Sequence, residues 1–191
     1  VETGRFRNFM TYERQWTEEV GSEDAHGRAL WGLGKSVAFL DNPGHLAMST
    51  ALFNQALKVV EPDEPEILRS AHVYLALKAA MRDAEADAVT ADCLGLYYGG
   101  KLSAYPCLGF FQLNNEGSTG VCEADVDSTL TQLLIRYLTG RPGYVSDPVI
   151  DTAAGQIVYA HCVATNRPFG PQGLANPYLI RSHAEDRRGA S

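Results

Sequence analysis

No stretch of this chain approaches the ~20 consecutive apolar residues that a bilayer-spanning helix needs, and its first residues carry no signal-peptide layout. Basic residues are in the minority, with 16 Lys and Arg against 23 Asp and Glu and a formal net charge of −7. Phosphate recognition depends on a clustered basic face. The densest basic stretch, Arg181 to Arg188, is diluted by Glu185 and Asp186. Neither a nucleic acid nor a membrane is therefore an expected partner. Cysteine is scarce too: Cys93, Cys107, Cys122 and Cys162 are widely spaced and form no C-x-x-C pair, which argues against a zinc ribbon. The four read as reduced thiols used as small buried hydrophobes, and the cytoplasm is the expected compartment. Internal repeats and low-complexity tracts are lacking as well.

What is present is ordinary globular material. The 191 residues, 45% hydrophobic and 20% charged, suffice for one domain with a proper core or for two small ones. Val1 opens the chain without a methionine, and neither end carries a stop signal for its last element, so a piece of something longer is expected.

The N-terminal residues place Phe6, Phe9, Tyr12 and Trp16 at spacings of three and four. Ser22 offers an N-cap, Glu23 and Asp24 put negative charge where a helix dipole favours it, and Leu30, Leu33, Val37 and Leu40 follow at helical period. Asp41-Asn42-Pro43-Gly44 stops that helix; a second runs from about Leu46 to Val60. Glu61-Pro62-Asp63-Glu64-Pro65 is the best linker candidate. Beyond it, residues 65–84 read as a helix with Ile67, Leu68, Ala71, Tyr74, Leu75 and Met81 on one side. Ala88 to Leu94 reads as a buried strand, and Leu96 to Asn115, dense in Gly and aromatics, as a loop with a short strand. Val126 to Leu138 reads as a helix with Leu130, Leu133, Leu134 and Tyr137 inward and Gly140 just past its end. Tyr144 to Ile150, Gln156 to Ala164 and Tyr178 to His183 read as strands. The expected fold class is α/β: an N-terminal αα-hairpin in residues 1–60, followed by an incomplete α/β sheet layer in residues 61–191.

Three residues stand out as donors for a hard divalent ion: Glu123, Asp147 and His161. Two carboxylates and one imidazole suit Mn²⁺ or Mg²⁺ better than a structural zinc, which prefers thiolates and imidazoles. Each also has a plainer use. Glu123 stands before a helix and can serve its dipole, Asp147 before Pro148 is a turn former, and His161 in an apolar run is a core histidine. His183 either approaches the same site or ends a solvated strand. Gln112, Asn114 and Asn115 are candidates for hydrogen bonds to sugar hydroxyls, and Asp125 for contact with solvent or an outer group. In the helical segment Glu23, Asp24 and His26 form a polar cluster, with capping as the competing use. Trp16 and Trp31 offer rings for sugar stacking, with core packing the expected use of both.

Residues from about 58 to 191 resemble the central region of the L-fucose and L-arabinose isomerase-like proteins. The carriers include Thr90-Ala91-Asp92-Cys93-Leu94-Gly95, the run from Tyr105 to Asn114, Cys122-Glu123-Ala124-Asp125, Leu138-Thr139-Gly140-Arg141-Pro142-Gly143, Ser146-Asp147-Pro148 and Tyr159-Ala160-His161-Cys162. By position the resemblance implies that Glu123, Asp147 and His161 are ligands of Mn²⁺ or a similar hard cation such as Mg²⁺. It also implies that Glu123 and Asp147 take part in aldose–ketose isomerisation of a small sugar through an ene-diol, in an enzyme that forms homo-oligomers. A further ligand histidine is expected from a downstream portion, so weak metal affinity and little turnover are expected of this chain. Residues 4 to about 56, through Asn8-Phe9-Met10-Thr11-Tyr12 and Gly21 to Trp31, resemble the helical, six-hairpin-type domain appended to bacterial glycosyltransferases. That similarity implies a glycosyltransferase-associated helper, and the two together imply a chimeric or non-catalytic fragment as a third reading.

Overall fold

The structure, a computed structural model, describes residues 5–58, 61–183 and 189–191. The chain divides into two compact units, Val1–Glu61 and Pro62–Ser191.

The first unit is a helix pair. Helix α1 (Glu23–Phe39) starts where the Ser22 hydroxyl accepts from Ala25 N, and α2 (Pro43–Leu57) where the Asn42 side chain accepts from Gly44 N and His45 N, with Pro43 pre-set for the first turn. The two pack together. Ahead of them the chain is not helical, despite its aromatic spacing: residues 10–16 fold back on themselves, Met10 bridging to Trp16.

The second unit opens with α3 (Glu64–Asp83), capped by the Asp63 carboxylate. Then come β1 (Ala88–Thr90), α4 (Cys93–Tyr98), α5 (Cys107–Asn115), β2 (Thr119–Val121), α6 (Val126–Thr139), β3 (Asp147–Asp151) and β4 (Gln156–Ala160). β1 and β2 pair in parallel, Ala88 opposite Thr119, with α4 and α5 forming the crossover between them. β3 and β4 form a separate antiparallel hairpin. The architecture is thus mixed α/β, an N-terminal helix pair followed by small sheets and helices.

The core of this unit gathers around α5. Phe110 and Leu113 are buried there, with Tyr97 stacked on Tyr105 at 3.7 Å between ring centroids. Asn114 locks α5 to β2: its Nδ2 donates to Gly120 O and its Oδ1 accepts from Gly120 N, each at 2.9 Å. Gly120 is required there, because a Cβ would lie 2.9 Å from Phe110 Cα. The C-terminal residues are held by α3. Buried Glu66 accepts from Ser182 Oγ at 2.6 Å and from Gly189 N, and Ser70 Oγ accepts from Ala190 N at 2.8 Å.

Several sequence expectations need correction. Cys93–Tyr98 and Cys107–Asn115 are helices, where a strand end and a loop were expected. α5 is apolar nearly all round and buried, so it shows no one-sided periodicity, and its Gly and aromatic content mimics a loop. The α6 apolar stripe does not face inward. Leu130, Leu134 and Tyr137 are exposed, while Thr129 and Gln132 are buried against the β1–β2 side. On α3, Leu68 and Leu75 are exposed, and Glu66, Ser70 and Val73 are buried. The Tyr178–His183 strand reduces to one bridge, Ser182 to Ala190. No described helix is long and apolar enough to cross a membrane.

Candidate functional site

Glu123 is presented by a strained turn. After β2 the chain passes through Glu123 (φ 65°) and Ala124 (φ 54°), two successive non-glycine residues in the left-handed region. Such a conformation costs roughly 1–2 kcal/mol per residue and concentrates at functional sites. Ala124 N–H donating to Ala91 O at 2.9 Å pins the turn. The helix-capping duty falls to Asp125, whose Oδ1 accepts from Ser128 N at 2.8 Å. Hydrogen bonds from the Ser128 hydroxyl and amide hold the Asp125 carboxyl below the usual range. Glu123 is therefore not the cap, and its side chain is exposed beyond the strand end.

Asp147 and His161 are brought together by hairpin register. Pairing of Asp147 with Ala160 sets Asp147 beside the residue that follows β4. His161 Nε2 lies 3.7 Å from Asp147 Oδ2; the imidazole side chain is 8% exposed and the carboxylate 84%. The other ring nitrogen, Nδ1, lies 3.7 Å from Cys162 Sγ. The Cys162 thiol raises the His161 pKa, burial opposes this, and the charges of Asp147 and Glu123 add to the rise. The charges of both expected carboxylates thus favour the protonated form of the third expected donor, His161. The three do not form a closed cage: among the described residues, the donor groups lying mutually within 4.8 Å are Cys107, Cys162 and His183, and Cys122, His161 and Cys162. A cation on the Nε2 side would meet Asp147 and His161.

The sulfur cluster is what sequence reasoning missed. All four cysteines are free, and Cys93, Cys107 and Cys122 are buried, as small hydrophobes would be. They are not dispersed. Cys107 and Cys162 Sγ atoms lie 3.4 Å apart, Cys107 Sγ lies 3.6 Å from His183 Nδ1, and the Cys122 thiol interacts with those of Cys107, Cys162 and Cys93. Hydrogen bonds from Cys107 and Cys122, with both imidazoles adding, pull the Cys162 thiol strongly down. The Cys122 thiol is pushed up by its three sulfur neighbours and by burial. Cys93 is lowered to about 6, mainly by Cys122, with burial opposing and the Glu123 amide adding. The only signal available earlier was that Cys107, Cys122 and Cys162 each adjoin a quoted motif or element end.

His183 is drawn inward rather than solvated, packing against Tyr105 at 4.1 Å between centroids with the rings tilted by 47°. Asn114 is fully used on Gly120, and the Asn115 carbonyl oxygen accepts from Thr165 Oγ1 at 2.6 Å and from Asn166 N. Gln112 donates to Glu116 Oε1 at 2.9 Å. These bonds tie up Asn114 and Asn115 within the fold. A cleft of about 190 Å³ opens beside His161 and Cys162, walled by Leu108, Phe111, Tyr178 and Arg181.

In the helical unit, the side chains of Glu23 and Asp24 lie outside the described residues. His26 is buried and structural: Nδ1 accepts from Phe6 N, and Nε2 donates to Ala56 O at 3.1 Å, tying α1 to α2. Trp16 and Trp31 are not core residues. Both are exposed, with Arg7 5.6 Å from one ring centroid and Lys35 5.9 Å from the other.

No protein-family profile matches the chain, and no solved structure matches it. Two curated proteins do. The sulfoquinovose isomerases of Priestia aryabhattai and Priestia megaterium are each 30% identical over 103 residues, which is 53% of this chain. The matched stretch spans only 22% of each relative's length. The chain therefore has a distant, partial similarity to a sugar isomerase.

Proposed function

We propose that this chain carries part of a metal-dependent aldose–ketose sugar isomerase working through an ene-diol, with residues 61–191 as the isomerase-like domain and residues 1–60 as a separate helical one. The observation that carries the reading is the Asp147–His161 pair, 3.7 Å apart, with the charge of Glu123 acting on the same ring. The similarity to two sulfoquinovose isomerases supports the same substrate class, a small sugar.

Isomerisation moves a carbonyl between adjacent carbons. A base takes the proton from the carbon next to the carbonyl, an ene-diolate forms, and a proton returns to the former carbonyl carbon. When bound, a hard divalent ion supplies charge stabilisation to the two sugar oxygens as negative charge develops. Glu123, mobile on its exposed side chain, is suited to carry the proton. A proton on Nδ1, directed at Cys162, leaves the Nε2 lone pair on the Asp147 side available as a donor. The apolar walls of the adjacent cleft limit water around the reacting carbons.

Mn²⁺ titration followed by electron paramagnetic resonance tests the reading. Weak but saturable binding is expected of the parent, falling about tenfold or more in Glu123→Gln and in Asp147→Asn. Equal binding by parent and both variants would remove it.

A further inference from the structure

The sulfur cluster lies on the opposite side of His161 from the carboxylates, and the sugar chemistry above makes no use of it. Its four closest donors come from separate places in the second unit: Cys107 opens α5, Cys122 follows β2, Cys162 follows β4, and His183 lies in the C-terminal bridge. We propose that Cys107, Cys162 and His183, with Cys122 beside Cys162 as the fourth donor, hold one soft divalent ion of the Zn²⁺ class.

The spacing is that of a tetrahedron's edges. With Zn–S near 2.3 Å and Zn–N near 2.0–2.1 Å, tetrahedral geometry sets sulfurs about 3.8 Å apart and sulfur from nitrogen about 3.6 Å. The Cys107–Cys162 separation is 3.4 Å and the Cys107–His183 separation 3.6 Å. The third edge, from Cys162 to His183, is within 4.8 Å, and Cys122 lies within 4.8 Å of Cys162. Thiolates and an imidazole are soft and borderline donors, which select zinc over Mn²⁺ or Mg²⁺.

The surroundings position the ligands. The His183 ring packs at a tilt against Tyr105, and the His183 backbone N–H donates to Gly189 O at 2.8 Å. Buried Glu66 and Ser70 hold the same bridge to α3. Cys162 also faces Nδ1 of His161, so the soft ion would brace from behind the imidazole that serves the sugar site. The absence of a C-x-x-C pair excludes a ribbon, not a site whose ligands converge only on folding.

The test uses the whole chain under reducing conditions, with Co²⁺ alone and Zn²⁺ alone as probes. One equivalent of Co²⁺ is expected to give the strong visible bands of a tetrahedral ion and a thiolate-to-cobalt charge-transfer band, displaced by Zn²⁺. Cys162→Ser should weaken Zn²⁺ binding about 100-fold or more, whereas Asp147→Asn should leave the cobalt spectrum unchanged and lose only Mn²⁺. Because a core Cys→Ser variant can fail to fold, thiol alkylation of the parent gives an independent reading: Zn²⁺ should protect Cys162, the least buried of the four thiols. A weak octahedral cobalt spectrum, or equal alkylation of Cys162 with and without Zn²⁺, would overturn the proposal.

Discussion

At the scale of single residues, the two informative histidines differ in what surrounds them. His161 has an oxygen neighbour on one nitrogen and a sulfur neighbour on the other, and its charge is favoured. His26 has backbone partners on both nitrogens, and burial lowers its pKa below the ordinary 6.5, Arg5 adding to the fall while the bond to Ala56 opposes it. The sign of the consequence is definite. Above 6.5 both folded and unfolded forms are neutral, and the stabilising contribution is complete. As pH falls below 6.5 the unfolded chain takes up a proton before the folded one, so stability declines until the folded pKa is passed. Both tryptophans of the chain, Trp16 and Trp31, lie in the helical unit, so tryptophan fluorescence reports it alone. Its urea midpoint should fall between pH 7 and pH 5, and His26→Gln should flatten that dependence. A parent midpoint that does not move with pH would show the buried reading of His26 to be mistaken.

At the scale of elements, the junction of α5 with β2 rests on one side chain. Asn114→Ala would remove two buried hydrogen bonds and strand both backbone groups of Gly120, a loss of about 3 kcal/mol. Chemical denaturation followed by circular dichroism checks this; a loss under about 1 kcal/mol would mean that other groups satisfy Gly120. The same elements show how far the sequence could be read. α1, α2, α3 and α6 were legible from helical period, with the Ser22 cap and the Leu run of α6 announcing themselves; that Asn42 caps α2 was not read, since Asp41 to Gly44 signalled only a stop. α4 and α5 were not, since Gly99, Gly100 and a cluster of aromatics suggest a loop, and a helix buried all round has no polar face to mark its period. The orientation of α6 was misread because its leucines obey helical spacing while Thr129 and Gln132 are the buried residues. Periodicity identifies a stripe; what covers it depends on neighbours that no local pattern encodes.

At the scale of the whole molecule, function depends on convergence across distant positions. Asp147 and His161 meet because of one hairpin register, while Glu123 stands on a left-handed turn that non-glycine residues adopt reluctantly. The candidate residues could be named from the sequence, but the register and the turn could not. The convergence of four cysteines was invisible for the same reason, since their spacing along the chain carries no motif. The account places two chemically different environments on either face of His161, oxygen-rich toward solvent and sulfur-rich toward the core. Anomalous diffraction at the manganese edge, from crystals of the chain soaked in Mn²⁺, addresses this most directly. The expected result is a single peak within coordination distance of His161 Nε2 and an Asp147 oxygen, with the Glu123 carboxylate turned toward it. A peak remote from these residues, or none at saturating Mn²⁺, would contradict the account.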